Sequence, residues 1–448
     1  MMDIRGILKT LRDVSVLLKK DMITVQSEED LRDLIEEGDN DEDVAVNIEI
    51  LDEKVIRVLP WRSFGRFPDY HAVSIDGSSR LVRSRSSNLG IASVAIFFTK
   101  HNFIIDYPPT ISRIGKENVY KLLRTAPIIG LQTKIKMRED AKIELERKIS
   151  HAKLIRVRSF NNEDFYDYNY NVWQMVDEIR LNLENTALSS LMDNNLFSLN
   201  DIEKQIIVID GAIYPTPRIS FRRDGPEKYK RAYRTLIRKR IEILKRADEL
   251  GYRVIGCVKR ISDSYKLYRD ETINRIARGI LGVRRGRIQR IPDDTLLHII
   301  IVEAIRKGIL PRLGFPVLIG PIKFRIVDAE FQRSIGIDPP TKYIYYMWIP
   351  LSPYSPFVAN VFRIEMLEKT FRRLGENFAI MLLKFGIDIL RGIPHIINIP
   401  DIISRRASAT YFLAIARLLS EFFELTYETK LEMEEVLREF RGERLEGG

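Results

Sequence analysis

Residues 71–80, HAVSIDGSSR, run apolar as far as Asp76 and then break into Gly77, Ser78 and Ser79; residues 205–214, QIIVIDGAIY, repeat the pattern at Asp210 and Gly211. A short apolar run bounded by turn residues reads as a buried strand. The chain thus twice brings such a strand to a carboxylate followed by glycine. A third run, RVIGCVKR (253–260), reads as a strand ending at Lys259. If the three lie side by side, two carboxylates and an ammonium meet at one edge of a sheet. Carboxylates held close repel each other unless a proton or a divalent cation lies between them. Oxygen-only ligands suit hard cations such as Mg2+ or Mn2+, and two such ions can stabilise both the attacking and the leaving oxygen of a phosphoryl transfer. The competing reading is local. Asp-Gly tolerates positive φ at both positions and is a strong hairpin signal, so either motif taken singly is also a turn.

The flanking segments alternate helix and strand. Val172, Val176, Ile179, Leu183, Ala187 and Leu191 recur at three- and four-residue steps and predict a helix from about 164 to 191, with Glu184 at the edge of its apolar stripe. EKYKRAYRTLIRKRIEILKRADELGY (227–252) predicts a basic amphipathic helix that stops at Gly251 and feeds the strand ending at Lys259. Residues 53–60, 71–76 and 89–98 read as strands of an antiparallel meander, YPPT (107–110) as a turn, and 99–161 as a candidate insertion. KYIYYMWIPL (342–351) and NVFRIEML (360–367) add strands, and mostly helix follows. The alternation predicts the α/β class, with a central mixed sheet flanked by helices and helical elements at both termini.

A chain of 448 residues, 45% hydrophobic, can bury a large core in two or three structural units. Its one cysteine, Cys257, excludes an internal disulfide and suits a reducing interior. The N-terminal MMDIRGILKTLRDVSVLLKK carries charges at regular intervals, as an amphipathic helix does and a signal peptide does not. No run approaches the roughly 20 uncharged apolar residues of a membrane helix. The expectation is a soluble cytoplasmic protein with no membrane partner. Lys and Arg number 72 against 62 Asp and Glu, a formal net charge of +10, which favours a polyanionic partner. The acidic stretch 27–44 reads as a solvated face or linker.

Six motifs in order, HAVSIDGSS, RLNLENTAL, IIVIDGAIYP, VIGCVKR, NVFRIEML and GIPHIINIPD, resemble the NurA nucleases of archaea and some bacteria, over about residues 70–410. The resemblance implies an RNase H-like core related to the PIWI domain, a homodimer, and degradation of DNA with Mn2+, Mg2+ being the alternative. It also implies work with HerA, a hexameric DNA-translocating ATPase, in end resection for recombinational repair. Carried onto this sequence, it implies Asp76, Glu184 and Asp210 as metal ligands, and Lys259 as a contact to the scissile phosphate or an orienter of water. Family members often carry Gly-Tyr-Pro followed by a late His or Asp. Here Gly392-Ile393-Pro394 lacks the Tyr, Asp401 takes the late position as a further catalytic carboxylate able to ligate a metal, and His395 beside Pro394 reads as structural, or else as a ligand or proton carrier. The expected division is a docking segment at 1–65, a NurA-like nuclease domain at 66–410 and a helical segment at 411–448.

Arg80, Arg83 and Arg85 follow the first Asp-Gly, and Arg222 and Arg223 the second. They either rim the carboxylates and hold DNA phosphates or are solvated hairpin charge. VRRGRIQR (283–290) is a basic loop that tracks a strand or is simply solvated, and FYDYNY (165–170) packs in a core or interface or stacks on bases. Arg363 and Glu365 share a strand face and read as a structural ion pair. The expected function is a Mn2+-dependent deoxyribonuclease, a 5′–3′ exonuclease and single-strand endonuclease acting with a HerA-type ATPase. The alternative is a catalytically decayed DNA-binding or scaffold protein on the same fold. An actin-like or sugar-kinase-like ATPase is disfavoured, because the glycine- and threonine-rich phosphate loops are missing and no G-x-x-x-x-G-K-[ST] motif is present.

Overall fold

The computed structural model describes residues 46–51, 55–59, 71–85, 87–101, 103–109, 123–133, 172–193, 205–215, 227–262, 264–281, 291–311, 314–352, 358–388 and 390–441. The amphipathic segment 1–20, the acidic stretch 27–44, FYDYNY, VRRGRIQR, Arg222 and Arg223 lie outside the described residues.

The N-terminal half supplies strands β1 (Val46–Ile50), β2 (Ile56–Val58), β3 (His71–Arg83), β4 (Ser87–Phe98), β5 (Phe103–Tyr107) and β6 (Ile129–Thr133). Helix α1 (Val172–Asp193), β7 (Gln205–Asp210), α2 (Glu227–Glu249) and β8 (Arg253–Val258) follow as the expected helix–strand alternation. Then come α3 (Glu271–Leu281), α4 (Asp293–Arg306), β9 (Val317–Ile326), α5 (Ala329–Ile335), β10 (Lys342–Pro350), β11 (Ala359–Leu367), α6 (Glu368–Leu374) and α7 (Asn377–Lys384). A small ladder of β12 (Ile387–Asp388) and β13 (Ile393–Pro394) leads into α8 (His395–Ser420) and α9 (Tyr427–Arg441). Among the described residues, no helix is long and apolar enough to cross a membrane.

One large mixed sheet runs in the order β1-β9-β10-β11-β8-β7-β3-β4-β5, with β2 on β9 and β6 on β4. At its centre β7 lies parallel to both β3 and β8, and the other pairings are antiparallel. The central place of β7 follows from its sequence: Ile206, Ile207, Val208 and Ile209 are all buried, so both faces of the strand are covered. Ile206 and Val208 pack with Ile255, Cys257, Ile396 and Ile397, while Ile207 and Ile209 pack in a second cluster with Ile179 and Leu183 of α1. The stripe expected on α1 is buried from Val176 to Leu191, with Val172 partly so.

The two Asp-Gly motifs differ. β3 does not end at Asp76: Asp76 lies opposite Ala95, Gly77 opposite Val94, and pairing continues to Arg83 opposite Asn88. The expected strand end is therefore corrected to mid-strand, because β4 offers backbone partners along the whole length. Asp210 does end its strand. Gly211 follows at φ 111°, and its N–H donates to Cys257 O at 2.7 Å. The small residues after Gly77 serve packing, since Ser78 Oγ lies 3.1 Å from Ser408 Oγ and Ser93 Oγ donates to Ser404 O at 2.6 Å. They let α8 lie close on this face of β3 and β4. β1 and β2 join the sheet through β9, β5 and β6 join it through β4, and the expected boundary after residue 410 falls inside the continuous α8.

Candidate metal centre

The parallel register sets two of the acids side by side. Ile75 lies beside Ile209, so the next residues are Asp76 and Asp210, and Asp210 lies beside Cys257. Lys259, two residues beyond Cys257, continues the same face. A third acid comes from α8, where Asp401 stands in the second turn just after Pro400. One carboxylate oxygen from each of Asp76, Asp210 and Asp401 lies within 4.8 Å of the others. Lys259 Nζ lies 2.5 Å from Asp210 Oδ2 and 3.3 Å from Asp401 Oδ1. Ser404 Oγ donates to Asp76 Oδ2 at 2.7 Å. Asp401 also meets Arg405 Nε at 3.1 Å and Arg391 Nη1 at 3.9 Å.

Burial first, and then the neighbouring charge of Asp210, push the Asp76 carboxyl well above its usual range; the Ser404 hydrogen bond and Lys259 oppose the rise. Asp210 is also raised, by burial first, against the pull of Lys259. Carboxyls that resist ionising beside one another are stabilised as anions by a cation among them. Three oxygen donors without nitrogen or sulfur fit a hard divalent cation.

The remaining expected residues are placed differently. Glu184 Oε2 accepts from Arg240 Nη2 at 2.9 Å, and its other oxygen lies 3.9 Å from Arg180 Nε. A Cβ built on Gly77 would stand 2.5 Å from Glu184 Oε1, so glycine is the residue that lets this acid approach β3. Because neighbouring strand residues face opposite sides, Glu184 sits on the side of β3 away from Ser404 and Asp401, and the structure does not bring it into the group of three. His395 is exposed at the start of α8, with its ring against Gly386, and is likewise outside the group. Arg80 pairs with Glu432 at 2.8 Å, Arg83 lies 5.2 Å over the Trp173 ring, and Arg85 pairs with Glu424 at 3.1 Å. A strand rises about 3.3 Å per residue, which carries Arg80 about 13 Å and Arg83 about 23 Å along β3 from Asp76.

Sequence reasoning did not single out Ser404, Arg405 or Arg391. The first two stand at i+3 and i+4 from Asp401, the spacing of one helix face, and that was the available signal. Behind the site, Ile213 N–H donates to Glu365 Oε2 at 3.1 Å, so the turn after Asp210 is tied to β11. Gly256 makes room for that turn, since a Cβ there would lie 2.5 Å from Ile213 N. The expected Arg363–Glu365 ion pair is present at 2.9 Å, and Lys342 Nζ also lies 2.9 Å from Glu365. Against the burial that raises it, Lys342 and Arg363 hold the Glu365 carboxyl down at about 2.

No curated protein matches the chain in sequence. It is similar to the crystal structure of the NurA nuclease from Sulfolobus solfataricus, at 11% identity over 90% of this chain and 89% of that one, with a TM-score of 0.36. It is also similar to the crystal structure of NurA with manganese, at 11% identity over 86% of this chain and 95% of that one, TM-score 0.38. A third, NurA bound to dAMP and manganese, shares 9% identity over 74% of this chain and 83% of that one, TM-score 0.34. Residues 71–383 match the NurA domain, a span that takes in Asp76, Glu184, Asp210 and Lys259 and stops short of Asp401. With more than half of its length so matched, the chain belongs to the NurA domain family.

Proposed function

We propose that this chain is a Mn2+-dependent deoxyribonuclease on an RNase H-like core, an exonuclease and single-strand endonuclease that works as a homodimer with a HerA-type ATPase in DNA end resection. The observation that carries the reading is the convergence of Asp76, Asp210 and Asp401 beside Lys259, from two central strands and a distant helix. Membership of the NurA domain family supports it. Asp76, Asp210 and Asp401 would hold the cation, and Glu184, a further proposed ligand, would join them only on leaving Arg240 and moving from the far side of β3. Such a cation supplies Lewis-acid polarisation of a phosphate oxygen and a nucleophilic water at neutral pH. Lys259, fixed between two carboxylates, offers an ammonium to the phosphate where negative charge develops, or orients the attacking water. Ser404 holds Asp76 in place.

Incubating labelled linear DNA with the purified chain and Mn2+, with and without EDTA, tests the reading. Cleavage that EDTA abolishes is expected; intact DNA in Mn2+ would refute it. For the partner, the amphipathic face of Ile4, Ile7, Leu8, Leu11, Val14 and Leu18 is the proposed docking element. Deleting residues 1–20 should weaken co-elution with the HerA-type ring, and unchanged co-elution would remove that assignment.

A further inference from the structure

We infer that Arg391 and Arg405, which lie on Asp401, are phosphate-binding residues that turn to the DNA backbone when a cation takes over that carboxylate. The inference rests on the nuclease reading above and adds the residues that couple metal to DNA.

Asp401 faces three cations: Lys259 at 3.3 Å, Arg405 at 3.1 Å and Arg391 at 3.9 Å. Together with Asp76, Asp210 and Asp388, whose Oδ2 lies 3.9 Å from Arg391 Nε, four carboxylates therefore face three basic groups, one formal negative charge in excess. A divalent cation among the carboxylates leaves the set with one positive charge in excess. Repulsion then falls on whichever basic groups can move. Lys259 is only 16% exposed and sits 2.5 Å from Asp210, whereas the Arg405 and Arg391 side chains are 45% and 47% exposed. Asp401 itself is buried at 9% side-chain exposure, but a cation takes over its charge, and a half-exposed guanidinium then exchanges one anion for another at little desolvation cost. A guanidinium offers two parallel donors to a phosphate, which an ammonium cannot.

Placement favours the exchange. Arg391 lies in the turn between β12 and β13, and Arg405 is one helical turn beyond Asp401, so the two flank the carboxylates from separate elements. Arg391 Nη1 also donates to Asn398 Oδ1 at 2.8 Å, and Asn398 Nδ2 donates to Asp388 Oδ2 at 2.9 Å. These bonds keep the guanidinium at the margin of the site once Asp401 is otherwise occupied. The anion that such a pair of arginines would take beside a hard-cation site is a nucleic-acid phosphate.

The test compares the full chain with Arg391→Gln/Arg405→Gln and with each single variant, in EDTA and in Ca2+. Binding of a fluorescein-labelled duplex with a single-stranded end is followed by anisotropy across a KCl series, and Mn2+ affinity by calorimetry. In the unaltered chain, Ca2+ should tighten DNA binding roughly tenfold and steepen the salt dependence by about two units, one for each phosphate that a released arginine neutralises. The double variant should lose both increments, bind DNA in EDTA as the unaltered chain does, and bind Mn2+ at least as tightly. Retention of the Ca2+ increment would overturn the inference, as would an equal loss of DNA affinity in EDTA, which marks arginines bound to DNA whether or not the cation is present. A tenfold loss of Mn2+ affinity would overturn it too, by assigning the arginines to holding Asp401. If circular dichroism shows the double variant misfolded, the single variants decide, each expected to lose about half of the increment in slope. Absence of Mn2+ binding in the unaltered chain would instead refute the metal site itself, a distinguishable result.

Discussion

Ser404 Oγ, 328 positions along the chain from Asp76, donates a 2.7 Å hydrogen bond to Asp76 Oδ2. That bond joins α8 to the central strand at the point where the carboxylates meet. A hydroxyl that orients a metal-binding carboxylate changes metal affinity about 10- to 100-fold when removed. Ser404→Ala should therefore weaken Mn2+ binding within that range by calorimetry, while circular dichroism stays at the wild-type spectrum. Wild-type Mn2+ affinity would show that the bond serves packing alone.

Asp76→Asn, Asp210→Asn and Asp401→Asn each remove one proposed anionic ligand with almost no change in volume. Cleavage in Mn2+ should fall to background in each, with DNA binding in EDTA near normal for Asp76→Asn and Asp210→Asn and tighter for Asp401→Asn, which removes the anion that engages Arg391 and Arg405. If Asp210 served its turn alone, Asp210→Asn would cleave normally, since Asn-Gly is as good a turn as Asp-Gly. Retained cleavage in any one variant would take that carboxylate out of the site.

The raised Asp76 and Asp210 carboxyls make the fold lose stability, when no cation is bound, as pH rises above the ordinary carboxylate range. A carboxyl whose folded pKa exceeds its ordinary value of 3.8 holds more protons folded than unfolded across that interval. Stability is then full at low pH and declines as pH rises through the folded pKa. In EDTA, Asp76→Asn should melt higher than wild type at about pH 7.5, and this advantage should shrink as pH falls toward the ordinary carboxylate range. Saturating Mn2+ should reverse the order at the higher pH by stabilising only the wild type. Equal melting temperatures in EDTA would deny the repulsion.

Glu365 behaves in the opposite sense. Its folded pKa of about 2 lies below the ordinary 4.5, so its contribution is fully present above 4.5 and is lost as pH falls toward 2. Glu365→Gln leaves buried Lys342 and Arg363 without their carboxylate and should cost about 3–5 kcal/mol by urea denaturation near neutral pH. The gap between variant and wild type should narrow in acid, within the window from 4.5 down to 2.

Gly77→Ala would place its Cβ 2.5 Å from Glu184 Oε1 and 2.9 Å from Arg180 Cγ. Overpacking of this kind costs about 1–3 kcal/mol. A parallel Glu184→Gln variant tests the proposed ligand role, because it keeps the shape and removes the charge. Weaker Mn2+ binding in Glu184→Gln is expected from that role, and unchanged binding would confine the acid to its contacts with Arg240 and Arg180.

The sequence by itself determined which segments are buried and with what period. QIIVID is apolar at successive positions and became the strand covered on both faces, and the stripe from Val176 to Leu191 became the buried face of α1. Those patterns are legible because burial imposes a period on neighbouring residues. Tertiary structure alone decided that Asp76-Gly77 lies mid-strand, since the same dipeptide suits a turn until β4 pairs past it. It also carried Arg80 and Arg83 away along β3, although they follow Asp76 closely in sequence, and set Glu184 on the opposite side of that strand from Ser404. Asp401 reaches the other two acids because α8 lies against β3 and β4, where Ser78 and Ser93 meet Ser408 and Ser404. The convergence of charges depends on pairing and packing between distant segments, and a local pattern contains neither.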